Sequence, residues 1–237
     1  MIKNFKTRFI LKNQLTNDVF EFIFELIEPE EIEFQSGQFM MLDVLTADSF
    51  PQKRAYSIAS PSFLRNKLRF CIKLIEDGVA STYFKNLKIG DTAKFQGPFG
   101  RFILDFASKK NLLFIATGTG VAPFIGMLED IFEKKVDRKI EMYFGLRYEE
   151  DIFYQEILEK FAKEHNNFKY HLTVSRAKND FKGLKGRITE YLDVKKYDLK
   201  NTQIYLCGGG EMVKEVRSKF LNAGFEKEEI FGELFYV

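Results

Sequence analysis

The segment Gly118-Thr119-Gly120 is the part of the sequence whose residue types point most directly to a chemical role. It follows an apolar run, Leu112 to Ala116, that predicts a strand buried on both faces, and it precedes a helix-forming segment, Val121 to Leu128. Glycines at such a turn let the backbone bend tightly and approach a ligand, and the first N–H groups of the helix suit a phosphate. A plain strand-to-helix turn also explains the pattern, because the third glycine of the usual dinucleotide fingerprint is absent.

Neighbouring residues and a second glycine run favour the nucleotide interpretation. Thr117 immediately precedes the glycines, and Pro123 stands in the first helical turn, where its missing N–H has no partner to lose. The run Gly208-Gly209-Gly210 follows another predicted strand, Gln203 to Cys207. Doubly wound sheets bind ligands beyond the carboxyl ends of their strands, commonly between the first and fourth, where the winding reverses. We therefore expect the two glycine turns to meet at one nucleotide-binding crevice.

Two segments in the first hundred residues carry candidate ligand groups of another kind. Arg54-Ala55-Tyr56-Ser57 joins a cation, an aromatic ring and a hydroxyl on a predicted strand, where period two puts Arg54 and Tyr56 on one face. A planar ligand with a phosphate tail can use both, although this segment taken alone favours a surface Arg beside a packed Tyr, since such neighbours are common on half-buried strands. Gly78-Val79-Ala80-Ser81-Thr82 opens a predicted helix whose N–H groups suit a pyrophosphate, although ordinary capping by Ser81 explains it too.

Composition narrows the class of protein. A chain of 237 residues with 45% hydrophobic content fits one large or two ordinary domains. The net charge of +2 does not argue for nucleic acid. Two cysteines, Cys71 and Cys207, exclude a disulfide framework and a protein-only four-cysteine iron–sulfur site. Since neither a signal-peptide core nor an apolar run of ~20 residues occurs, we expect a soluble cytoplasmic protein without membrane insertion.

The elements that position these residues fall into two groups, with a boundary near residue 106. We expect domains at 1–106 and 107–237. The first shows period-two alternation typical of strands, which suggests a closed six-stranded antiparallel barrel with one helix, Val79 to Leu87. Its predicted strands are Thr7–Leu11, Val19–Leu26, Phe39–Val44, Arg54–Ala59, Leu68–Ile75 and Thr92–Gln96.

From about Lys110, strands alternate with helices, the pattern of a parallel, doubly wound sheet with five strands. The predicted strands are Leu112–Ala116, Ile140–Gly145, Tyr170–Val174, Gln203–Cys207 and Ile230–Glu233. The predicted helices are Ala122–Lys134, Asp151–Glu164, Arg187–Leu192 and Glu211–Ala223.

Taken together, in this order and spacing, the motifs resemble those of the ferredoxin–NADP reductase family of flavoenzymes, over nearly all of the chain. Arg54-x-Tyr56-Ser57 resembles the flavin motif of the family, and Gly78-x-x-Ser81-Thr82 its flavin pyrophosphate motif. Gly118-Thr119-Gly120-x-Ala122-Pro123 resembles the nicotinamide nucleotide motif, and Cys207-Gly208 with Met212 resembles the second nucleotide motif. The resemblance implies an FAD-binding β-barrel followed by an NAD(P)-binding α/β domain.

The resemblance also implies a role for each motif residue. Tyr56 would stack on the isoalloxazine, Ser57 would hydrogen-bond near flavin N5, and Arg54, Ser81 and Thr82 would bind the FAD phosphates. The neighbours of these residues in the two flavin motifs are Ala55, Gly78, Val79 and Ala80.

For the nicotinamide dinucleotide, the resemblance implies that Cys207 would lie beside the nicotinamide. The alternative is that Cys207 is simply a small apolar residue at a strand end. The ending Glu233-Leu234-Phe235 resembles the family's terminal Glu-x-aromatic, in which the aromatic covers the flavin. We assign this role to Phe235 and count Ser57, Cys207, Glu233 and Phe235 as catalytic. Packing of Tyr236 on the barrel, or a frayed tail, is the alternative.

Nucleotide preference depends on the loop after the third strand of the sheet. A hydroxyl and a guanidinium there, Ser175 and Arg176, suit a 2′-phosphate, and no Asp or Glu ends the second strand to hold a ribose 2′-hydroxyl. The pattern favours NADPH over NADH. Arg147 and Arg187 either assist or are ordinary surface arginines.

Two features depart from the family pattern. Gly210 replaces the usual proline after Cys207, which should loosen that loop. Two residues follow Phe235, as in flavin reductases rather than plant-type members.

The resulting hypothesis is an FAD-dependent NAD(P)H oxidoreductase. Hydride passes from nicotinamide to flavin when the two rings stack at about 3–3.5 Å, and electrons then leave singly. No ferredoxin-like segment is fused to the chain, so we expect a separate acceptor: ferredoxin, flavodoxin, an oxygenase component or free flavin. The alternatives are a flavin reductase, an oxygenase reductase component, and an FAD-binding subunit without independent turnover. Since no acid–base triad is required, we interpret His165 and His171 as structural.

Overall fold

The computed structural model describes residues 2–45 and 51–235, which form two compact units. One unit comprises the residues up to Leu104 together with Ala122–Lys134, and the other comprises Asp105–Val121 and the residues from Lys135 onward. In the described residues, no helix is both long and apolar enough to cross a membrane.

The first unit is built on a curled antiparallel sheet of six strands in the order β4-β3-β6-β1-β2-β5. Its strands are β1 (Lys3–Gln14), β2 (Val19–Glu28), β3 (Phe39–Leu45), β4 (Pro51–Ser57), β5 (Lys67–Lys73) and β6 (Thr92–Phe99), and its helices are α1 (Val79–Asn86) and α2 (Ala122–Glu133). All six predicted strands are confirmed. The predicted closed barrel is instead a curled sheet with β4 and β5 as its edges. Beyond the end of β4, the N–H of Ala59 donates to the carbonyl of Arg69 at 2.8 Å and joins the two edges.

Aromatic rings fill the core of this unit. On β2 the alternation places Phe22 and Phe24 inside, both fully buried. Phe24 packs edge-on against Phe95 of β6, with ring centroids 5.1 Å apart. Phe84 of α1 packs against Phe22 at 4.6 Å and is also fully buried. This ring therefore fixes α1 against the sheet.

Two neighbouring acids hold α2 to the rest of the first unit. The carboxylate of Asp130 is fully buried, accepts the hydroxyl of Ser36, and accepts the N–H of Ser62 at 2.9 Å. Glu129 accepts a hydrogen bond from the guanidinium of Arg69 at 2.6 Å. Buried carboxylates are tolerated only with such partners, so these bonds determine where α2 packs.

The second unit is a parallel sheet of six strands in the order β10-β9-β8-β7-β11-β12. Its strands are β7 (Asn111–Thr117), β8 (Ile140–Leu146), β9 (Phe168–Val174), β10 (Leu184–Lys185), β11 (Thr202–Gly209) and β12 (Ile230–Phe235), and its helices are α3 (Gln155–Glu164), α4 (Ile188–Tyr191) and α5 (Gly210–Asn222). The five predicted strands are confirmed. β11 runs two residues further than predicted, so Gly208 and Gly209 are the last residues of this strand and pair with β12, and the second glycine turn is the passage from them into α5. The sixth, β10, has only two residues, too few to show a periodic pattern.

One predicted helix starts later than expected. α3 begins at Gln155 rather than Asp151 because Glu149–Asp151 forms a separate 3₁₀ turn. The carboxylate of Asp151 accepts the N–H of Tyr148 at 3.1 Å and closes that turn.

The position of β7 in the sheet confirms the expected reversal of winding. β7 pairs with β8 on one side and β11 on the other. Near its carboxyl end, Ala116 lies opposite Cys207 of β11, and Thr117 lies opposite Gly145 of β8. The turns that follow β7 and β11 consequently start side by side.

Candidate functional site

In the first unit, the Arg54 to Ser57 segment presents three different environments along β4. The guanidinium of Arg54 is exposed and donates to the side chain of Gln52 at 2.6 Å. Tyr56 is half-buried, Ser57 is buried, and Ala55 is exposed on the other face. Burial raises the pKa of Tyr56 above its ordinary value, and the nearby positive charge of Arg54 partly opposes this. At neutral pH the strand therefore offers an uncharged phenol beside a cation.

Tyr56 also connects the two predicted flavin motifs. Its ring packs edge-on against Phe84, with centroids 5.3 Å apart and planes at 90°. Phe84 belongs to α1, the helix opened by the second motif. The contact between these two rings thus brings the strand of the first flavin motif and the helix of the second together.

The start of α1 lacks a side-chain cap. Gly78 is the N-cap residue, and its carbonyl accepts the N–H of Thr82 at 2.8 Å as the first helical bond. The hydroxyl of Ser81 is buried and accepts the N–H of Ile75 at 2.9 Å. The alternative that Ser81 caps the helix is therefore wrong, because its hydroxyl binds the preceding loop. No acidic residue lies in the first turn, so the N–H groups of α1 suit an anion.

In the second unit, the turn after β7 is tight. Gly118–Val121 forms a 3₁₀ turn that contains both glycines, and α2 begins at Ala122, as predicted. Thr119 in the turn is half-buried, and Pro123, which belongs to α2, is buried. Gly118 has a left-handed φ of +55° and open space where a side chain would stand. Its backbone is thus exposed for an approaching ligand.

The two glycine turns meet, as the sequence predicts. A Cβ on Gly120 would lie 2.5 Å from the carbonyl oxygen of Cys207. Gly208 has a φ of +137°, and a Cβ there would overlap the hydroxyl of Thr117. That hydroxyl accepts the N–H of Gly209 at 3.1 Å. Gly120 therefore makes room for protein backbone, which the motif alone does not reveal.

Cys207 lies two residues before the end of β11 and has no exposed surface. Its register partner on β12 is Glu233. Burial raises the pKa of the Cys207 thiol well above its ordinary value, and the carboxylate of Glu233 raises it further. The group is consequently a neutral thiol at physiological pH.

The remaining C-terminal candidates lie beside the second glycine turn. Phe235, the last residue of β12, is half-buried opposite Gly209. Tyr236, the alternative to Phe235, lies outside the described residues. Gly210 is the first residue of α5, and Met212 packs partly buried against the core of this unit.

The loops after β8 and β9 place three predicted residues at the same carboxyl edge of the sheet. Arg176 donates its N–H to the carbonyl of Arg147 at 2.8 Å, and the N–H of Ser175 bonds to Leu146 at 3.0 Å. All three candidate side chains, Arg147, Ser175 and Arg176, are exposed. By contrast, the N–H of Arg187 bonds to the Glu190 carboxylate within the first turn of α4.

One residue of this edge was not predicted. The phenol of Tyr148 accepts a hydrogen bond of 2.6 Å from Arg176, whose guanidinium carbon lies 5.5 Å from the centre of the Tyr148 ring. Tyr148 therefore orients Arg176. The two residues are 28 positions apart, and only the pairing of β8 with β9 brings them together.

Each half of the chain matches a known family of protein domains. Residues 6–103 match the oxidoreductase FAD-binding domain family, and residues 114–218 match the oxidoreductase NAD-binding domain family. Ferredoxin–NADP reductase B of Sorangium cellulosum (strain So ce56) is 32% identical over 219 residues, covering 90% of this chain and 89% of that protein. The chain belongs to the ferredoxin–NADP reductase family.

Other members of the family are similar over the same region. The anthranilate 1,2-dioxygenase electron transfer component of Acinetobacter baylyi is 31% identical over 207 residues. That match covers 87% of this reductase-family chain but only 59% of the component. A ferredoxin NADP+ reductase from Neisseria gonorrhoeae, solved with FAD and NADP, has the same fold, with a TM-score of 0.84, 23% identity and 99% coverage of both chains.

The residues present fit the two cofactors of the family. For FAD, the first unit offers an exposed guanidinium, a neutral aromatic ring and a helix start without cap or acid. For a nicotinamide dinucleotide, the second unit offers two interlocked glycine turns, a buried neutral thiol and exposed arginines at one sheet edge.

Proposed function

We propose that this protein is an FAD-dependent NAD(P)H oxidoreductase that passes hydride to flavin and then electrons to a separate acceptor. The observation that carries the proposal is the junction of β7 and β11, where two glycine turns interlock beside the neutral thiol of Cys207. The relatives named above support acceptors such as ferredoxin or an oxygenase component.

FAD, when bound, supplies a two-electron acceptor that releases electrons one at a time. The chain's own residues bind and orient it. The charge of Arg54 and the N–H groups of α1 attract its phosphates, with Ser81 and Thr82 in the first turn. Tyr56 provides an uncharged ring for the flavin face, held in place by Phe84. Ser57 would donate its hydroxyl near the reacting nitrogen of the flavin.

The second unit binds and orients the nicotinamide dinucleotide. The Gly118–Val121 turn, with Thr117, Thr119 and Pro123, would hold its pyrophosphate, and Cys207 would lie by its nicotinamide. The thiol of Cys207 stays protonated, so no thiolate charge lies beside the nicotinamide ring. Burial and, after it, the carboxylate of Glu233 raise the pKa of that thiol. Phe235 would cover the flavin in the absence of nicotinamide. The residues proposed for the rest of the dinucleotide are Gly118, Gly120, Gly208, Met212, Arg147, Ser175 and Arg176.

We place the boundary between the two domains near residue 106, between the two matched domain families. We also propose that the protein works in the reducing cytoplasm. The support is its cysteine content, because Cys71 and Cys207 are both buried and are not joined in a disulfide.

The test is to purify the chain, measure its FAD content by absorbance, and assay NADPH and NADH with a panel of acceptors. The panel contains ferredoxin, flavodoxin, an oxygenase component and free flavin. We expect yellow protein that reduces a protein acceptor. Colourless protein whose turnover depends on added flavin would instead support a flavin reductase. Bound FAD with no turnover on either nucleotide would indicate a subunit without independent activity.

A further inference from the structure

The hydroxyl of Thr117 extends the contact between β7 and β11 beyond their backbone register. That register ends at Ala116 opposite Cys207. Two residues further along β11, the N–H of Gly209 donates to Thr117 Oγ1 at 3.1 Å. Gly209 is the N-cap of α5, and no side chain caps that helix. The threonine hydroxyl thus determines where the second glycine turn begins.

We infer that Thr117 is a positioning residue, a latch that fixes the Gly208-Gly209 turn and leaves its own hydroxyl proton available to the nicotinamide dinucleotide. The inference rests on the proposed function and deepens it. It assigns Thr117 a second role, holding Gly209 in place, in addition to binding the dinucleotide.

Threonine suits this position because both of its branches are used. Its hydroxyl bonds to Gly209, while its methyl group faces β8, where a Cβ on the register partner Gly145 would lie 3.3 Å from it. A β-branched side chain has few χ1 rotamers, so contacts on both sides hold it in one orientation. Valine would keep the shape and lose the acceptor, whereas serine would keep the acceptor and lose the methyl.

The latch also orients the remaining proton of the hydroxyl. A hydroxyl can accept through its lone pairs while donating its single O–H. Since the N–H of Gly209 occupies the acceptor side, the O–H of Thr117 is directed elsewhere and can donate to an oxygen of the dinucleotide. Gly208 permits this arrangement, because a side chain there would occupy the space of the hydroxyl.

Amide hydrogen exchange at Gly209 in the FAD-loaded protein, without nucleotide, tests the latch directly. We expect Thr117→Val to speed exchange at Gly209 by at least tenfold and Thr117→Ser to leave it within about threefold of wild type. Thr119→Val, in the Gly118–Val121 turn, is the matched control for this measurement and should leave the exchange rate at Gly209 unchanged. Unchanged exchange in Thr117→Val would overturn the latch. If Thr117→Val does not fold, Thr117→Ala replaces it with the same expectation.

Flavin reduction under anaerobic single-turnover conditions tests the consequence for the nucleotide. We expect Thr117→Val to raise the half-saturating NADPH or NADH concentration about tenfold, with FAD content unchanged, and Thr117→Ser to restore it. Equal effects of the valine and serine variants would overturn the positioning role. If the wild-type protein is not reduced by either nucleotide, the proposed function fails, and the exchange experiment still decides whether the latch exists.

Discussion

Cys207 and Glu233 occupy paired positions on the parallel strands β11 and β12, and the carboxylate of Glu233 adds to the effect of burial on the Cys207 thiol. Both effects favour the protonated thiol. The folded sheet therefore keeps the sulfur of Cys207 uncharged at alkaline pH values at which an isolated cysteine ionises.

The raised pKa of Cys207 predicts a pH dependence of stability. The unfolded chain loses this thiol proton near pH 8.5, while the folded chain keeps it. The stability from this group is therefore complete below about pH 8.5 and falls above it, by up to about 1.4 kcal/mol per pH unit. Urea unfolding of wild type and Cys207→Ala at pH 8 and pH 10 measures this, since the difference between the proteins cancels the other titrating groups. A difference that does not change with pH would contradict the assignment.

The two glycines of the Gly118–Val121 turn predict unequal losses of stability for the same substitution. Gly118→Ala meets open space and only the cost of a left-handed backbone, about 1 kcal/mol. Gly120→Ala would place a methyl group 2.5 Å from the Cys207 carbonyl oxygen and force the turns apart, at a cost of about 3 kcal/mol. Urea denaturation of both variants checks the order. A Gly120→Ala protein as stable as Gly118→Ala would show that the turns do not interlock.

Removal of the buried carboxylate of Asp130 should destabilise the first unit strongly. Asp130→Ala leaves the hydroxyl of Ser36 and the N–H of Ser62 without their acceptor in a buried site, a loss of about 3 kcal/mol. Asp130→Asn keeps one acceptor oxygen and should cost less. Glu133→Ala, at an exposed position of the same helix, should change the free energy of unfolding by less than about 0.5 kcal/mol. Similar losses for Asp130→Ala and Glu133→Ala would be inconsistent with an anchored α2.

Arg176 should decide the preference for NADPH over NADH. The phenol of Tyr148 orients its guanidinium, which suits a 2′-phosphate. We expect Arg176→Ala to raise KM for NADPH about tenfold or more, with little change for NADH, and Tyr148→Phe to cause a smaller effect of the same kind. Lys163→Ala, which removes an exposed cation from α3, is the control and should leave KM unchanged for both nucleotides. Equal losses with both nucleotides would remove Arg176 from a role in specificity.

Regular patterns made most of the fold predictable. Alternating Phe20, Phe22 and Phe24 indicated a half-buried strand, and the continuous run Leu112 to Ala116 indicated a strand buried on both faces. The glycine turns after β7 and β11 followed from the position of the first and fourth strands at the reversal of winding.

The missed features depend on contacts between distant residues. The bonds from Thr117 to Gly209 and from Asp130 to Ser36 span 92 and 94 positions, and no local pattern specifies them. Ser81 looked like a capping residue because its type fits that role, but the loop before α1 offered its hydroxyl the N–H of Ile75. Strand β10, with two residues, has no period to detect.

The most direct test of the account is anaerobic mixing of the FAD-loaded protein with one equivalent of NADPH or NADH, followed through the visible flavin absorbance. We predict that the flavin bleaches in a single turnover and that oxidised nucleotide forms in equal amount, faster with NADPH than with NADH. A protein that holds FAD and stays yellow with both nucleotides would contradict hydride transfer as its function.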